Sequence, residues 1–191
     1  MLQFTPETHQ YTWNGKPVPS VTQILQVMGK YHDWNPDASE AARELGKAVH
    51  LATELYDNDD LDEESLDPQI RPYLDAWIKF KRDSGIVILA NEQILYHPKY
   101  AYAGTLDRVG MLKKDRALVD IKTGLLYPTY GPQLSAYKNA WEIKTGMKIN
   151  SRLAVQLRES GDYRLTPYVS PNDWPAFLAC LSIHNFKEQT E

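Results

Sequence analysis

The sequence predicts an α/β fold: a central mixed sheet flanked by helices on both faces, with a small N-terminal β-hairpin ahead of it. Three features point there. Apolar residues recur at helical spacing through the first half of the chain, the period changes to that of strands after Gly85, and the elements then run as three strands, a helix, two strands and a helix. Strands interrupted once by a helix suit one sheet covered on both sides.

Each element has a local reason. HQYTWNGKPV alternates around Asn14-Gly15, a pair that accepts the positive φ angles of a tight hairpin turn. In PSVTQILQVMG, Ser20 and Gln23 stand at capping-box spacing and Gly29 supplies an exit, which defines a short helix. From about Ser39 to Tyr56, Ala41, Leu45, Ala48, Val49 and Ala52 form one helical stripe. A further helix is expected to open at Asp67-Pro68, cap then first-turn proline, and to run through Tyr73, Trp77 and Phe80 to Gly85. IVILANEQILYH reads as one long strand or a strand with a bulge, and AGTLDRVGMLKKDRALVDIKTG as a hairpin turning within Lys113 to Arg116. GPQLSAYKNAWEIKTG is a helix with Pro132 in its first turn and Gly146 at its end. Strands around Leu153 to Leu157 and Tyr163 to Val169 follow, then a helix from about Trp174. One domain is expected over residues 1–191, with 1–38 as an N-terminal embellishment and 39–191 as the core.

Composition excludes several classes. At 191 residues, 42% apolar and 24% charged, the chain is an ordinary globular sequence, and it holds no apolar run of about 18 residues. The N-terminus MLQFTPETHQ has neither a basic start nor an apolar signal core, so the protein is expected to stay in the compartment where it is made. Cys180, the single cysteine, sits among apolar residues in FLACLSIHNF and reads as a packed thiol. The net charge of −4 is local: DNDDLDEESLD, residues 57 to 67, holds seven acids and no base, leaving 21 basic against 18 acidic residues elsewhere. That run is expected to be a solvated loop between two helices.

The chemistry concentrates in ALVDIKTG, where an apolar strand carries Asp120 and Lys122. Residues two apart share a strand face, so these charges converge while Val119 and Ile121 project to the other side. A two-residue loop, Lys113-Lys114 or Lys114-Asp115, sets Asp107 of the preceding strand opposite Asp120 or Lys122. Two carboxylates that close need a compensating cation. A divalent metal with oxygen ligands, Mg²⁺ or, with an added imidazole, Mn²⁺, meets that need. Lys122 would then be a fixed positive charge near an attacking water. A bare Asp-x-Lys occurs about once by chance in a chain of this size; the conjunction with an apolar strand and a hairpin partner bearing Gly104, Thr105, Leu106 and Asp107 carries the weight.

Gly104-Thr-Leu-Asp107, then Asp120-Ile-Lys122-Thr-Gly124, then Gln133 and Tyr137 on the next helix, in that order, resembles the PD-(D/E)xK nuclease superfamily, in particular its RecB-like and phage-type exonuclease branch. Gly46 and His50 resemble the Gly-x-x-x-His helix of that branch, and His9-x-Tyr11 with Pro19-Ser-Val-Thr22 is similar to phage-encoded members. The resemblance implies a restriction-endonuclease-like core in which Asp107 and Asp120 bind the catalytic metal, with Ile121 and His50 counted in the same metal set, and Lys122 assists the water nucleophile. It further implies that Gln133 and Tyr137 orient the site or hold DNA backbone. Asp120 stands where many relatives have Glu. For the early carboxylate of the family, Glu54, one turn after His50, is the first candidate and Glu92 the second.

The activity implied is a metal-dependent DNA nuclease using Mg²⁺ or Mn²⁺, an exonuclease of recombination, repair or phage DNA processing, located in the cytoplasm of a bacterial or phage-infected cell. Its implied partners are DNA ends, a single-strand-annealing or recombination protein, and further copies of the chain. Lys79, Lys81, Arg82, Lys99, Lys113, Lys114 and Arg116 are candidate DNA contacts, and Trp34, Tyr100 and Tyr102 candidate stacking or packing aromatics. Competing readings are an endonuclease, an inactive nucleic-acid-binding module of the same fold, and an interaction protein whose charges form a structural ion-pair cluster. One cysteine excludes a Cys₄ iron–sulfur cluster.

Overall fold

The computed structural model describes residues 1–6, 8–31 and 40–190. It opens with β1 (Leu2–Thr5), β2 (Gln10–Trp13) and β3 (Lys16–Val18), an antiparallel sheet of order β1-β2-β3. The Asn14-Gly15 turn forms with φ of 51° and 76°, as its sequence requires. The addition of β1 makes the element a three-stranded meander. Trp13 stacks on Tyr96 of the central sheet with centroids 4.3 Å apart, and the Tyr11 hydroxyl meets Thr105 Oγ1 at 2.8 Å, so the meander is fastened to that sheet.

α1 (Val21–Leu25) has the expected capping box: Gln23 N–H donates to Ser20 Oγ and Ser20 N–H to Gln23 Oε1. A 3₁₀ stretch over Gln26–Tyr31 follows, kinked at Gly29 where φ is 55°. Trp34 and Ser39 lie outside the described residues. α2 (Glu40–Asp57) buries Val49, Ala52 and Thr53. The acidic run is corrected at its first residue: Asp57 ends α2 with a fully buried side chain, while the acids from Asp59 to Asp67 are exposed. α3 (Arg71–Ser84) starts later than Asp67-Pro68. Asp67 instead caps a turn by accepting from Gln69 N–H, and Pro72 takes the first-turn position. Gly85 closes the helix with φ of 66°.

The second sheet comprises β4 (Val87–His97), β5 (Tyr102–Leu112), β6 (Asp115–Lys122), β7 (Ser151–Leu157) and β8 (Tyr163–Pro167), in sequential order. Every pairing is antiparallel except β6 with β7, which are parallel and joined through α4 (Tyr130–Thr145). α5 (Asp173–Glu188) completes the fold. This is the mixed, helix-flanked sheet that the element order predicts. On one face, Val21, Leu118, Leu134, Trp141, Phe177 and the buried Cys180 share a core; on the other, Val49, Trp77, Phe80, Val119, Ile121 and Val155 do. No helix among the described residues is long and apolar enough to cross a membrane.

Strict alternation fails on β5. Leu106 and Val109, three residues apart on β5, pack in the same core, although a regular strand would send them to opposite faces. On β4 the facing residue between the Asn91–Arg108 and Gln93–Leu106 pairs is Glu92, whose φ is 42°. A bulge between Ile88 and Ala90 adds to the irregularity of β4. The sheet is therefore distorted where Glu92 and Asp107 lie side by side.

Gly104 sits where that distorted region meets α4. A Cβ on it would lie 2.7 Å from Tyr137 Cε1 and 3.3 Å from Val21 Cγ2, both in the packed core. Gly104→Ala is expected to destabilise by about 1–3 kcal/mol, read as a fall of several degrees in Tm at roughly 2–4 °C per kcal/mol. An unchanged Tm would mean that the Tyr137 ring has room to yield.

Candidate metal centre

The β5–β6 turn is Lys113-Lys114, with Leu112 opposite Asp115 and Lys113 at φ of 56°. This is one of the two loops that place Asp107 correctly. The ladder runs up to Arg108–Val119, and one step further in the same register sets Asp107 opposite Asp120. The next partner of Leu106 would be Ile121, but the ladder stops. Ile121 N–H instead donates to Asp107 Oδ2 at 2.6 Å, and Ile121 O accepts from His50 Nε2 at 3.1 Å. Two side chains thus satisfy the backbone groups that a strand leaves behind.

Those contacts orient both side chains. With the His50 Nε2 proton committed to a carbonyl, Nδ1 faces Asp107 Oδ2 at 3.7 Å and Glu92 Oε1 at 3.8 Å. His50, Glu92 and Asp107 each present a ligand atom within 4.8 Å of the others. Ligand atoms about 2.0–2.2 Å from one small divalent ion can lie up to about 4 Å apart, so modest closure brings all three onto it. Two carboxylates and an imidazole suit Mg²⁺ or Mn²⁺. Burial works against protonation of His50, yet Asp107 and Glu92 outweigh it and hold its pKa above the ordinary value.

Asp120 lies beside this trio and forms a tight pair with Lys122, Oδ2 to Nζ at 2.8 Å. Burial pushes the Asp120 pKa up to about 6, Lys122 opposes the rise, and the charge of Asp107 adds to it. Burial alone would lower the Lys122 pKa, but Asp120 in particular reverses the shift, so the ammonium stays charged. It also sits 4.7 Å from the centroid of the Tyr130 ring. Gln133 and Tyr137, one turn apart on α4, are both buried, and Gln133 Nε2 donates to Tyr137 Oη at 3.2 Å. Burial pushes the Tyr137 phenol far up, and Asp120 and Asp107 are among the charges it senses.

The candidate ligands thus divide. His50, Asp107 and Glu92 come together; Asp120 and Lys122 form an adjacent pair; Ile121 contributes both backbone groups while its side chain stays in the core. Glu54 faces the site from α2, where burial raises its pKa first and Glu92 second, but it is outside the compact trio. Sequence reasoning missed Arg108, whose guanidinium binds Glu92 and Asp57, and Tyr130 over Lys122.

The flanking cations are less available than their sequence positions suggest. Lys79 pairs with Asp162, Lys81 with Asp57 and Arg82 with Asp83. Lys113, Lys114 and Arg116 lie at the β5–β6 turn, roughly 13–25 Å along the strands from Asp107 and Asp120 at about 3.3 Å per residue. Lys99 sits over the Tyr100 ring, 5.2 Å from its centroid, Tyr100 packs against His97 and Trp174, and Tyr102 is buried with its hydroxyl on Ala136 O.

No family model and no curated protein matches the chain. Among solved structures, the fold is shared with that of an exonuclease-like protein. That protein is described as "Putative exonuclease" from Eubacterium rectale, and it aligns over 87% of this chain and 77% of its own at 12% identity with a TM-score of 0.57. The alkaline exonuclease LHK-Exo of Laribacter hongkongensis aligns over 90% and 91% at 14% identity with a TM-score of 0.43. Its complex with dAMP aligns over 91% and 88% at 13% identity and 0.42. At 12% identity the likeness to the Eubacterium rectale protein is one of fold.

The buried acid makes metal-free stability depend on pH in a defined direction. The folded chain keeps the Asp120 proton up to a pKa of about 6, while the ordinary value for the carboxyl is 3.8. Across that window the folded state binds more protons than the unfolded one, so this contribution to stability falls as pH rises and then levels off. In chelator, the parent protein is expected to lose more Tm between pH 4 and pH 6 than Asp120→Asn does, and saturating Mn²⁺ should shrink the difference. Parallel pH profiles for the two proteins would contradict the assignment.

Proposed function

We propose that this chain is a metal-dependent deoxyribonuclease forming one nuclease domain, an exonuclease that hydrolyses phosphodiester bonds at DNA ends during recombination, repair or phage DNA processing. The single observation that carries the reading is the convergence of His50, Glu92 and Asp107 within 4.8 Å, beside an Asp120–Lys122 pair at 2.8 Å. The arrangement supports the resemblance to the PD-(D/E)xK nucleases, and the fold likeness to a protein described as an exonuclease is consistent with it.

The geometry supports the following roles. Asp107, Glu92 and His50 would hold the ion, with Asp120 next to them as a further carboxylate. A divalent ion there supplies Lewis acidity toward a phosphoryl oxygen and makes nearby water more acidic. Lys122, kept charged by Asp120, stabilises negative charge as it builds on the phosphate and favours the deprotonated form of the attacking water. Gln133 and Tyr137 form a buried hydrogen-bonded pair, Tyr137 close enough to Asp120 and Asp107 to sense their charge, and would orient the site or hold DNA backbone. An inactive binding module would have no use for all of these groups together.

The test is digestion of linear duplex, linear single-stranded and closed circular DNA with Mg²⁺, Mn²⁺ or chelator. Linear DNA alone is expected to be degraded, and chelator to stop the reaction. Lys122→Ala is expected to lose roughly 10²–10³-fold in rate, the scale of removing one group that meets transition-state charge, and Asp107→Ala and Asp120→Ala at least as much. Cutting of closed circles would make the enzyme an endonuclease; full activity in chelator would end the metal reading.

A further inference from the structure

We propose that Arg108 is the positioning residue of the metal centre: its guanidinium, anchored on Asp57, holds the Glu92 carboxylate where it can ligate the ion. This rests on the metal-centre reading above. An arginine inside a sheet needs a partner for every charge-bearing edge, because a buried cation without them is strongly disfavoured. The Arg108 side chain is completely buried. Nε donates to Asp57 Oδ2 at 2.7 Å, Nη1 to Glu92 Oε1 at 2.9 Å and to Asp107 O at 2.8 Å, and Nη2 to Thr53 Oγ1 at 3.1 Å.

These partners lie on the elements that carry the trio. α2 supplies His50 and also Thr53 and Asp57; β4 supplies Glu92; β5 supplies Asp107. Thr53 passes the constraint on, since its hydroxyl donates to His50 O at 2.9 Å. Asp57 is a firm anchor, accepting from Lys81 Nζ at 2.6 Å and from Trp77 Nε1 at 3.1 Å. Glu92 needs such a clamp because a φ of 42° is one that non-glycine residues keep only where their surroundings enforce it.

Two effects of Arg108 on metal affinity oppose each other. Its positive charge repels a cation nearby, while its planar fork fixes a ligand. Lysine keeps the charge and lacks the fork, so Arg108→Lys isolates the second effect. Groups that orient metal ligands typically contribute about 10–100-fold in affinity.

The experiment is calorimetric titration of Mn²⁺ into the parent, Arg108→Lys, Glu92→Gln and the double variant, with Tm in chelator recorded for each. Arg108→Lys is expected to bind Mn²⁺ about 10–100-fold more weakly than the parent, and to cause no further loss in the Glu92→Gln background. If the losses multiply, Arg108 acts on the fold at large and the proposal fails; it fails equally if Arg108→Lys binds like the parent. Should Arg108→Lys not fold, Asp57→Asn, which unties the anchor, must show the same Glu92-dependent loss, and unchanged affinity there overturns the proposal. A parent that takes up no Mn²⁺ would sink the metal-centre reading itself, a result distinct from uptake that ignores Arg108.

Discussion

A guanidinium with no access to water is the constraint on which this molecule depends. Leaving one acceptor of Arg108 unmade would strand charge in the interior at a cost of several kcal/mol, so the end of α2, the middle of β4 and the middle of β5 have to meet at one point. That meeting sets the rotation of α2. His50, Thr53 and Asp57 lie at intervals of three, four and seven residues, one stripe of a helix. Once Thr53 and Asp57 are fixed on Arg108, the imidazole two turns earlier has one direction left to face.

The same network sets the charge of the site. Asp57 is balanced by Lys81, which leaves the carboxylates of Glu92, Asp107 and Asp120 against the cations of Arg108 and Lys122. With Glu54 facing the site as well, negative charge is in excess, and Asp107 and Glu92 raise the pKa of His50 against its burial. A divalent ion would offset that excess. On the proposed reaction, a centre that is locally acidic without its ion attracts the metal and accepts a phosphate only after the metal is in place.

Much of this was legible in the sequence because it depends on short-range rules. The period change at Gly85, the capping box at Ser20 and the glycines ending α3 and α4 specify elements, and the parity of a two-residue turn narrows the partner of Asp107 to Asp120 or Lys122, between which the Lys113-Lys114 turn decides. What failed to show was set by tertiary contact. Glu54 is on the helix face that the spacing implies, but Glu92 joins the trio because β4 takes a positive φ that nothing in ANEQ signals. Asp57 was hidden in an acidic run whose other members are solvated. Arg108 follows Asp107 directly and in a regular strand would face away from it. Only the break in alternation lets one dipeptide serve both the ion site and the network behind it.

That break also explains why the candidate metal centre can sit at the seam between the two faces of the sheet. Arg108 belongs to the side covered by α2 and α3, and Asp120 and Lys122 to the side covered by α4. An intact β5–β6 ladder would keep them apart, because its hydrogen bonds would occupy the backbone of Ile121. The ladder ends one residue short of Asp107, and the freed N–H and C=O of Ile121 are taken by Asp107 from one strand and His50 from one helix. A single peptide segment therefore joins the ligands held by Arg108 to the Asp120–Lys122 pair. Widening of the gap between β5 and β6 would loosen both halves at once, and this is the physical reason to treat them as one site.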